Sequence, residues 1–252
     1  MIRFVLVVLL LLGFLVINIP MLYSERAMAK GDKRPHQEHC LKVVQAMFRM
    51  LIRITGSQVT VRGYKNIPDE AVLYVGNHRS YFDILVGYAV VPGLTGFVAK
   101  KEMKRYPILA DWMDSVNCLF LDRKDIKAGL KTILEGIEKV KNGISIWIFP
   151  EGTRNKGVDP LEMLPFKEGS LKIAEKSGCP VVPVAITGTS EIFEQHIPFM
   201  RPSKVTIEFG EPFYVKELEP EDRKHVGAYT QKRILEMLEK EQKLRKSATE
   251  NQ

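Results

Sequence analysis

A histidine and an aspartate five residues apart, His78 and Asp83, lie in the run Asn77-His78-Arg79-Ser80-Tyr81-Phe82-Asp83. On a regular helix of about 3.6 residues per turn, side chains five apart point roughly 140° away from each other. They meet only if His78 occupies the turn ahead of a helix and Asp83 its first turn. The carboxylate would then hold one ring nitrogen and leave the other free to take a proton, as a general base must. Ser80-x-x-Asp83 equally fits a capping box, with Asp83 serving the helix N-terminus, and the two roles are compatible. Farther along, Phe149-Pro150-Glu151-Gly152-Thr153-Arg154-Asn155 reads as a strand entering a tight turn that can expose Glu151 and Arg154. An arginine's planar fork suits phosphate oxygens, although such a turn can also carry a merely solvated arginine. The same two readings stay open for Lys100 and Arg123. Pro165-Phe166-Lys167-Glu168-Gly169-Ser170 could offer backbone N–H groups to an anion or be only a loop.

These residues need elements to bring them together, and the hydropathy pattern supplies them. Short β-rich runs fall at 58–63, 72–76, 96–99, 117–121, 144–149, 181–186 and 204–209. Helical stretches lie between several of them, clearest at 126–141, where Ile126, Leu130, Ile133, Leu134, Ile137 and Val140 form one apolar stripe. Asp125 precedes it as a cap and Gly143 follows as a stop. A last helix is expected over 221–246. Strand–helix alternation predicts an α/β domain with a largely parallel sheet flanked by helices. Such sheets hold ligands outside the carboxyl ends of their strands. Asn77-His78, Lys100-Lys101, Asp122-Arg123 and Pro150–Arg154 all follow strand ends, so they should gather at one edge.

The first residues are of another kind. An apolar run from Phe4 to Tyr23, broken by Asn18 and Pro20, is long enough as a helix to cover roughly 30 Å of hydrocarbon. Ala27-Met28-Ala29 has the small-x-small form of a cleavage site, but the run exceeds the h-region of about 7–15 residues that signal peptides use. Arg26, Lys30, Lys33 and Arg34 beyond it outnumber Arg3 before it, which favours an anchor with a cytosolic body. The next segment, 40–55, sets Leu41, Val44, Phe48 and Leu51 at helical spacing among Lys42, Arg49 and Arg53. It reads either as an interfacial helix or as a core helix of the domain that follows. Residues 24–38 read as a linker or the first turns of that helix. The expected division is therefore 1–55, membrane anchor and interfacial helix, and 56–252, an α/β domain.

Composition narrows the partners. The chain has 252 residues, 45% apolar and 27% charged, enough for a packed core. Lys and Arg (37) exceed Asp and Glu (30), a net charge of +7 that suits an anionic partner. The cations are scattered without aromatic interleaving, which argues against nucleic acid. Cys40, Cys118 and Cys179 are too few and too dispersed for a disulfide framework or a zinc ribbon. His36-Gln37-Glu38-His39-Cys40 could suggest a metal, but it lies beside the membrane segment, and no metal is expected. The sequence holds no Gly-x-Ser-x-Gly elbow, no Walker loop and no Gly-x-Gly-x-x-Gly fingerprint.

Taken together, the motifs resemble those of the glycerolipid acyltransferase family, most closely its 1-acyl-sn-glycerol-3-phosphate acyltransferases. The family's His-x-x-x-x-Asp matches His78 and Asp83, with the customary Asn77 ahead of them. Its second block matches Leu119-Phe120-Leu121-Asp122-Arg123, its third Phe149–Arg154 and its fourth Pro180-Val181-Val182-Pro183-Val184. The resemblance implies that His78, oriented by Asp83, deprotonates the sn-2 hydroxyl of lysophosphatidic acid. That hydroxyl then attacks the thioester of acyl-CoA or acyl-acyl carrier protein directly, giving phosphatidic acid. Arg154, with Lys100 and Arg123, would hold the acceptor phosphate; Glu151, Gly152 and Thr153 would shape the acceptor pocket. It implies no cofactor beyond the donor co-substrate. Related expectations are a different acceptor, glycerol 3-phosphate or another lysolipid, or a non-catalytic module that binds phosphatidic acid at a membrane.

Overall fold

The computed structural model describes residues 1–28 and 32–250. Its sheet joins β1 (Gln58–Arg62), β2 (Leu73–Gly76), β3 (Thr95–Lys100), β4 (Leu119–Leu121), β5 (Ser145–Ile148), β6 (Val181–Thr187) and β7 (Lys204–Phe209). The spatial order is β1-β7-β6-β2-β5-β3-β4. Neighbours run parallel except β6 with β7, so β1 and β7 oppose the other five. Each strand predicted from the sequence is present, displaced by at most two residues at an end.

The helices are α1 (Ile2–Ile17), α2 (Ile19–Met28), α3 (Arg34–Thr55), α4 (Phe82–Val90), α5 (Pro107–Ser115), α6 (Ile126–Lys141), α7 (Lys172–Ser177), α8 (Pro220–Lys224) and α9 (Val226–Glu250). Alternate strand residues serve opposite layers, as a two-sided parallel sheet requires. Tyr74, Trp147, Val182, Val184 and Ile186 pack with α3, α4 and α5. Leu73, Val75, Ile146, Ile148 and Ala185 pack with α6, α7 and α9. Fully buried side chains such as Trp147 and Leu73 each contribute about 2 kcal/mol of apolar burial. Gly136 lets α6 approach closely: a Cβ there would lie 2.6 Å from Ile173 Cδ1.

Five details differ from the sequence pattern. The run 4–23 is not one helix. Asn18 Nδ2 donates back to Phe14 O (2.9 Å), and Pro20 brings no N–H to continue the ladder, so α1 ends and α2 begins. Residues 24–28 and 34–38 are helical, in α2 and α3; Ala29 and Lys30, which entered the cleavage-site and charge arguments, lie outside the described residues. The six-residue stripe of α6 is split: Ile137 and Val140 are buried, but Ile126 is 91% exposed, Leu130 60% and Leu134 54%. β4 is a three-residue edge strand, and among the described residues no further strand pairs beyond it to cover that flank. The last helix is broken at His225, where both oxygens of Glu168 accept from Gly227 N (3.1 and 2.9 Å) and cap α9 from outside the segment.

The segment Ile2–Ser24 is long and apolar enough to cross a bilayer. One side of α1 nevertheless rests on the domain, with Phe4 stacked on Phe193 (5.4 Å) and Phe14 against Trp112 (4.8 Å). Its other side leaves Ile2, Leu9, Leu12 and Val16 exposed. α3 buries Leu41, Val44 and Leu51 in the same core as the sheet while Lys42, Arg49 and Arg53 stay exposed.

Candidate active site

β2 is fully buried and ends at Gly76; Asn77 then extends its pairing with β6 through a side chain. Asn77 Nδ2 donates to Ile186 O (2.9 Å) and Ile186 N donates to Asn77 Oδ1 (2.8 Å), mimicking a backbone ladder one residue longer. This fixes where the chain leaves the sheet, and His78 is the next residue. His78 Nδ1 lies 2.8 Å from Asp83 Oδ2. The same oxygen accepts from Arg79 N and Ser80 N, both at 2.7 Å, and Asp83 Oδ1 accepts from Thr189 Oγ1 at 2.5 Å. Four donors suit a carboxylate, which only accepts. Nδ1 is therefore the ring nitrogen that donates to Asp83, and Nε2 is the one left outside the pair.

The cap and the pair turn out to be one arrangement. Asp83 accepts from Ser80 N, the carboxylate half of a capping box, while Ser80 Oγ turns instead to Phe82 N (2.9 Å), and the carboxylate oxygen used is the one facing His78. Asp83 is 1% exposed, and the His78 ring stacks on Phe149 at 4.1 Å, so protein shields one ring face from water.

β5 delivers the second group. Glu151 is buried and braces the turn: Oε1 accepts from His78 N (2.7 Å) and Oε2 from Leu164 N (3.0 Å). Burial pushes its carboxyl pKa upward, and those two N–H groups oppose the shift. Its contacts make it a backbone support of the histidine. Gly152 has φ +75°, and a Cβ there would meet Lys167 Nζ at 2.9 Å, so the turn needs glycine's freedom. Thr153 is exposed in the same turn. Asn155 N donates to His78 O (2.7 Å), tying the turn back to the histidine. Arg154 is half-buried, its guanidinium 3.6 Å over the Tyr81 ring and Nη1 3.2 Å from Glu194 Oε1.

His78, Asp83, Glu151 and Arg154 thus surround the N-terminal turn of α4. Lys100 and Arg123 do not join them. Both are exposed at the carboxyl ends of β3 and β4, with β5 between those strands and β2. Among the described residues no hydrogen bond or ion pair links either to the group, and the nearby ion pair is Lys101 with Asp122. Thr189 and Glu194 were not foreseen. Both follow β6, the strand of the fourth motif, and the strand-end rule applied there would have pointed to Thr189.

A sheet edge of this architecture, with a histidine freed at Nε2 by a capping aspartate, fits direct transfer of a group to a hydroxyl. The chain belongs to the Acyltransferase family, whose sequence profile matches residues 58–187. Among its relatives, a 1-acyl-sn-glycerol-3-phosphate acyltransferase of Cocos nucifera is 33% identical over 178 residues, 70% of this chain and 56% of that protein. One of Borreliella burgdorferi is 28% identical over 198 residues, 78% of either chain. The crystal structure of the 1-acyl-sn-glycerophosphate acyltransferase of Thermotoga maritima superposes with a TM-score of 0.80 at 27% identity, covering 96% of this chain and 95% of that one. The chain spans about half the length of the coconut and yeast relatives it matches, 56% and 49%.

Proposed function

We propose that this chain transfers a fatty acyl group from a thioester donor, acyl-CoA or acyl-acyl carrier protein, to the sn-2 hydroxyl of 1-acyl-sn-glycerol 3-phosphate. The observation that carries the reading is the His78–Asp83 pair, in which one carboxylate oxygen both caps α4 and faces Nδ1 at 2.8 Å. The relatives' names point to the same acceptor.

In this reading Nε2 of His78 takes the proton as the hydroxyl oxygen attacks the thioester carbonyl. Asp83 stabilises the imidazolium, and the departing thiolate recovers the proton from Nε2. The ester C–O bond forms as the C–S bond breaks, and no oxidant, cofactor or metal enters. Arg154 holds the acceptor phosphate, Gly152 and Thr153 shape its approach, and Glu151 acts through the His78 backbone. Lys100 and Arg123 would act at longer range, drawing anionic lipid and the phosphate-rich donor toward the edge. Residues 1–55 would anchor the chain with 56–252 on the cytosolic side. Phe4 and Phe14 tie α1 to the domain, so lipid would cover the outward Leu9, Leu12 and Val16.

The test is thiol release by the detergent-solubilised chain, with 1-acyl-sn-glycerol 3-phosphate and glycerol 3-phosphate as parallel acceptors. Release with the former alone, and phosphatidic acid as product, is expected. Release with glycerol 3-phosphate instead would keep the chemistry and overturn the acceptor. Silence with both acceptors and both donors would leave a binding module.

A further inference from the structure

Glu194 belongs to none of the sequence motifs, yet its carboxylate occupies the donors beside the His78–Asp83 pair. It lies in the 3-10 turn Glu194–His196 beyond β6. Its Oε1 accepts from Tyr81 N (2.8 Å) and lies 3.2 Å from Arg154 Nη1, and its Oε2 accepts from Ser80 Oγ (2.7 Å). A backbone N–H at the start of α4, a hydroxyl and a guanidinium therefore converge on one internal anion. Those are the donors a phosphate oxygen would seek. The arginine assigned to the acceptor phosphate is already paired, with side chains 25% and 17% exposed. An incoming phosphate cannot use that face of Arg154 while Glu194 holds it.

We propose that Glu194 is a positioning residue that stands in for the acceptor's phosphate. Its carboxylate keeps Arg154 stacked on Tyr81 in the empty site, and the phosphomonoester displaces it from the guanidinium on binding. The proposal rests on the acyl-transfer reading and on Arg154 as the phosphate cation. Its physical content is a competition between two anions for one guanidinium. A phosphomonoester, with up to two negative charges, wins over a single carboxylate. An acceptor without a phosphate has nothing with which to displace it. Holding Arg154 in one rotamer preorganises the seat, and the displacement sets a threshold of negative charge that an acceptor must meet.

Glu194→Gln tests this, because it keeps the size and one acceptor oxygen for Tyr81 N, lets its amide donate to Ser80 Oγ, and removes the charge. Thiol release against 1-acyl-sn-glycerol 3-phosphate should show KM falling about fivefold, the scale of one partly exposed ion pair. The accompanying change in kcat should be less than about twofold. Inorganic phosphate, used as a competitor, should inhibit the variant at correspondingly lower concentration. In the background of Arg154→Gln the same substitution should give no gain, since the competition needs the guanidinium. A KM that rises or stays fixed in Glu194→Gln, or a gain that persists without Arg154, overturns the proposal. A Glu194→Gln chain whose thermal midpoint matches the parent's assigns a changed KM to the seat; failure to fold makes Glu194 structural and overturns the proposal. Failure of the acyl-transfer reading is separate, because it appears as no thiol release by the unsubstituted chain.

Discussion

Two groups of cations face the same edge of the sheet and are held in opposite ways. Arg154 is held by structure: the Tyr81 ring lies beneath it, Glu194 beside it, and its turn is anchored by Glu151 on His78 N and by Asn155 N on His78 O. Lys100 and Arg123, at the ends of the two strands beyond β5, are exposed and make no hydrogen bond or ion pair among the described residues, although partial burial draws the Arg123 pKa down and the charge of Glu102 opposes that. A cation whose position is over-determined can orient a phosphate to fractions of an ångström. An exposed one supplies potential, screened within about 8–10 Å at ordinary salt. Under the proposed acyl transfer, the difference assigns orientation to one place and attraction to the other.

Substitutions can break or sharpen that contrast. The largest effect is expected at the rigid end. Asp83→Asn keeps the size and one acceptor oxygen but removes the charge that would stabilise a protonated His78 ring; kcat should fall on the order of a hundredfold or more, with acceptor KM little changed. Loss of acceptor affinity alone would instead make Asp83 a cap and nothing further. Arg154→Ala should come next, raising acceptor KM about tenfold while kcat falls less, as measured by initial rates across acceptor concentration. An unchanged KM would remove Arg154 from the phosphate seat. Lys100→Ala and Arg123→Ala should each cost less than about threefold, and the loss should shrink as salt rises. A tenfold, salt-insensitive effect at either position would erase the distinction between the two groups.

The same contrast separates what the sequence disclosed from what it hid. Periodicity exposed the strands because both faces of the sheet are buried, making Leu73–Gly76 and Ser145–Ile148 unmistakable apolar runs. Strand ends then located His78, Arg154, Lys100 and Arg123. Spacing alone left Asp83 between a cap and a partner of His78, and the geometry makes it both through a single oxygen. Thr189 and Glu194 were hidden because they reach Asp83 and Ser80 from more than a hundred residues away, through the crossover that brings β6 beside β2. Glu168 capping α9 was hidden by distance too, since it stands 59 residues ahead of Gly227. The outer stripe of α6 shows the converse: Ile126, Leu130 and Leu134 fit a core pattern, but the sheet ends at β4 and leaves them uncovered.

The most direct test of the central claim is single-turnover thiol release from acyl-CoA in the presence of saturating 1-acyl-sn-glycerol 3-phosphate, comparing the unsubstituted chain with His78→Ala. Removal of the base should slow release by about a thousandfold while lysolipid binding survives. A variant that still released thiol within about tenfold of the parent, a difference of only ~1.4 kcal/mol, would contradict proton abstraction by His78.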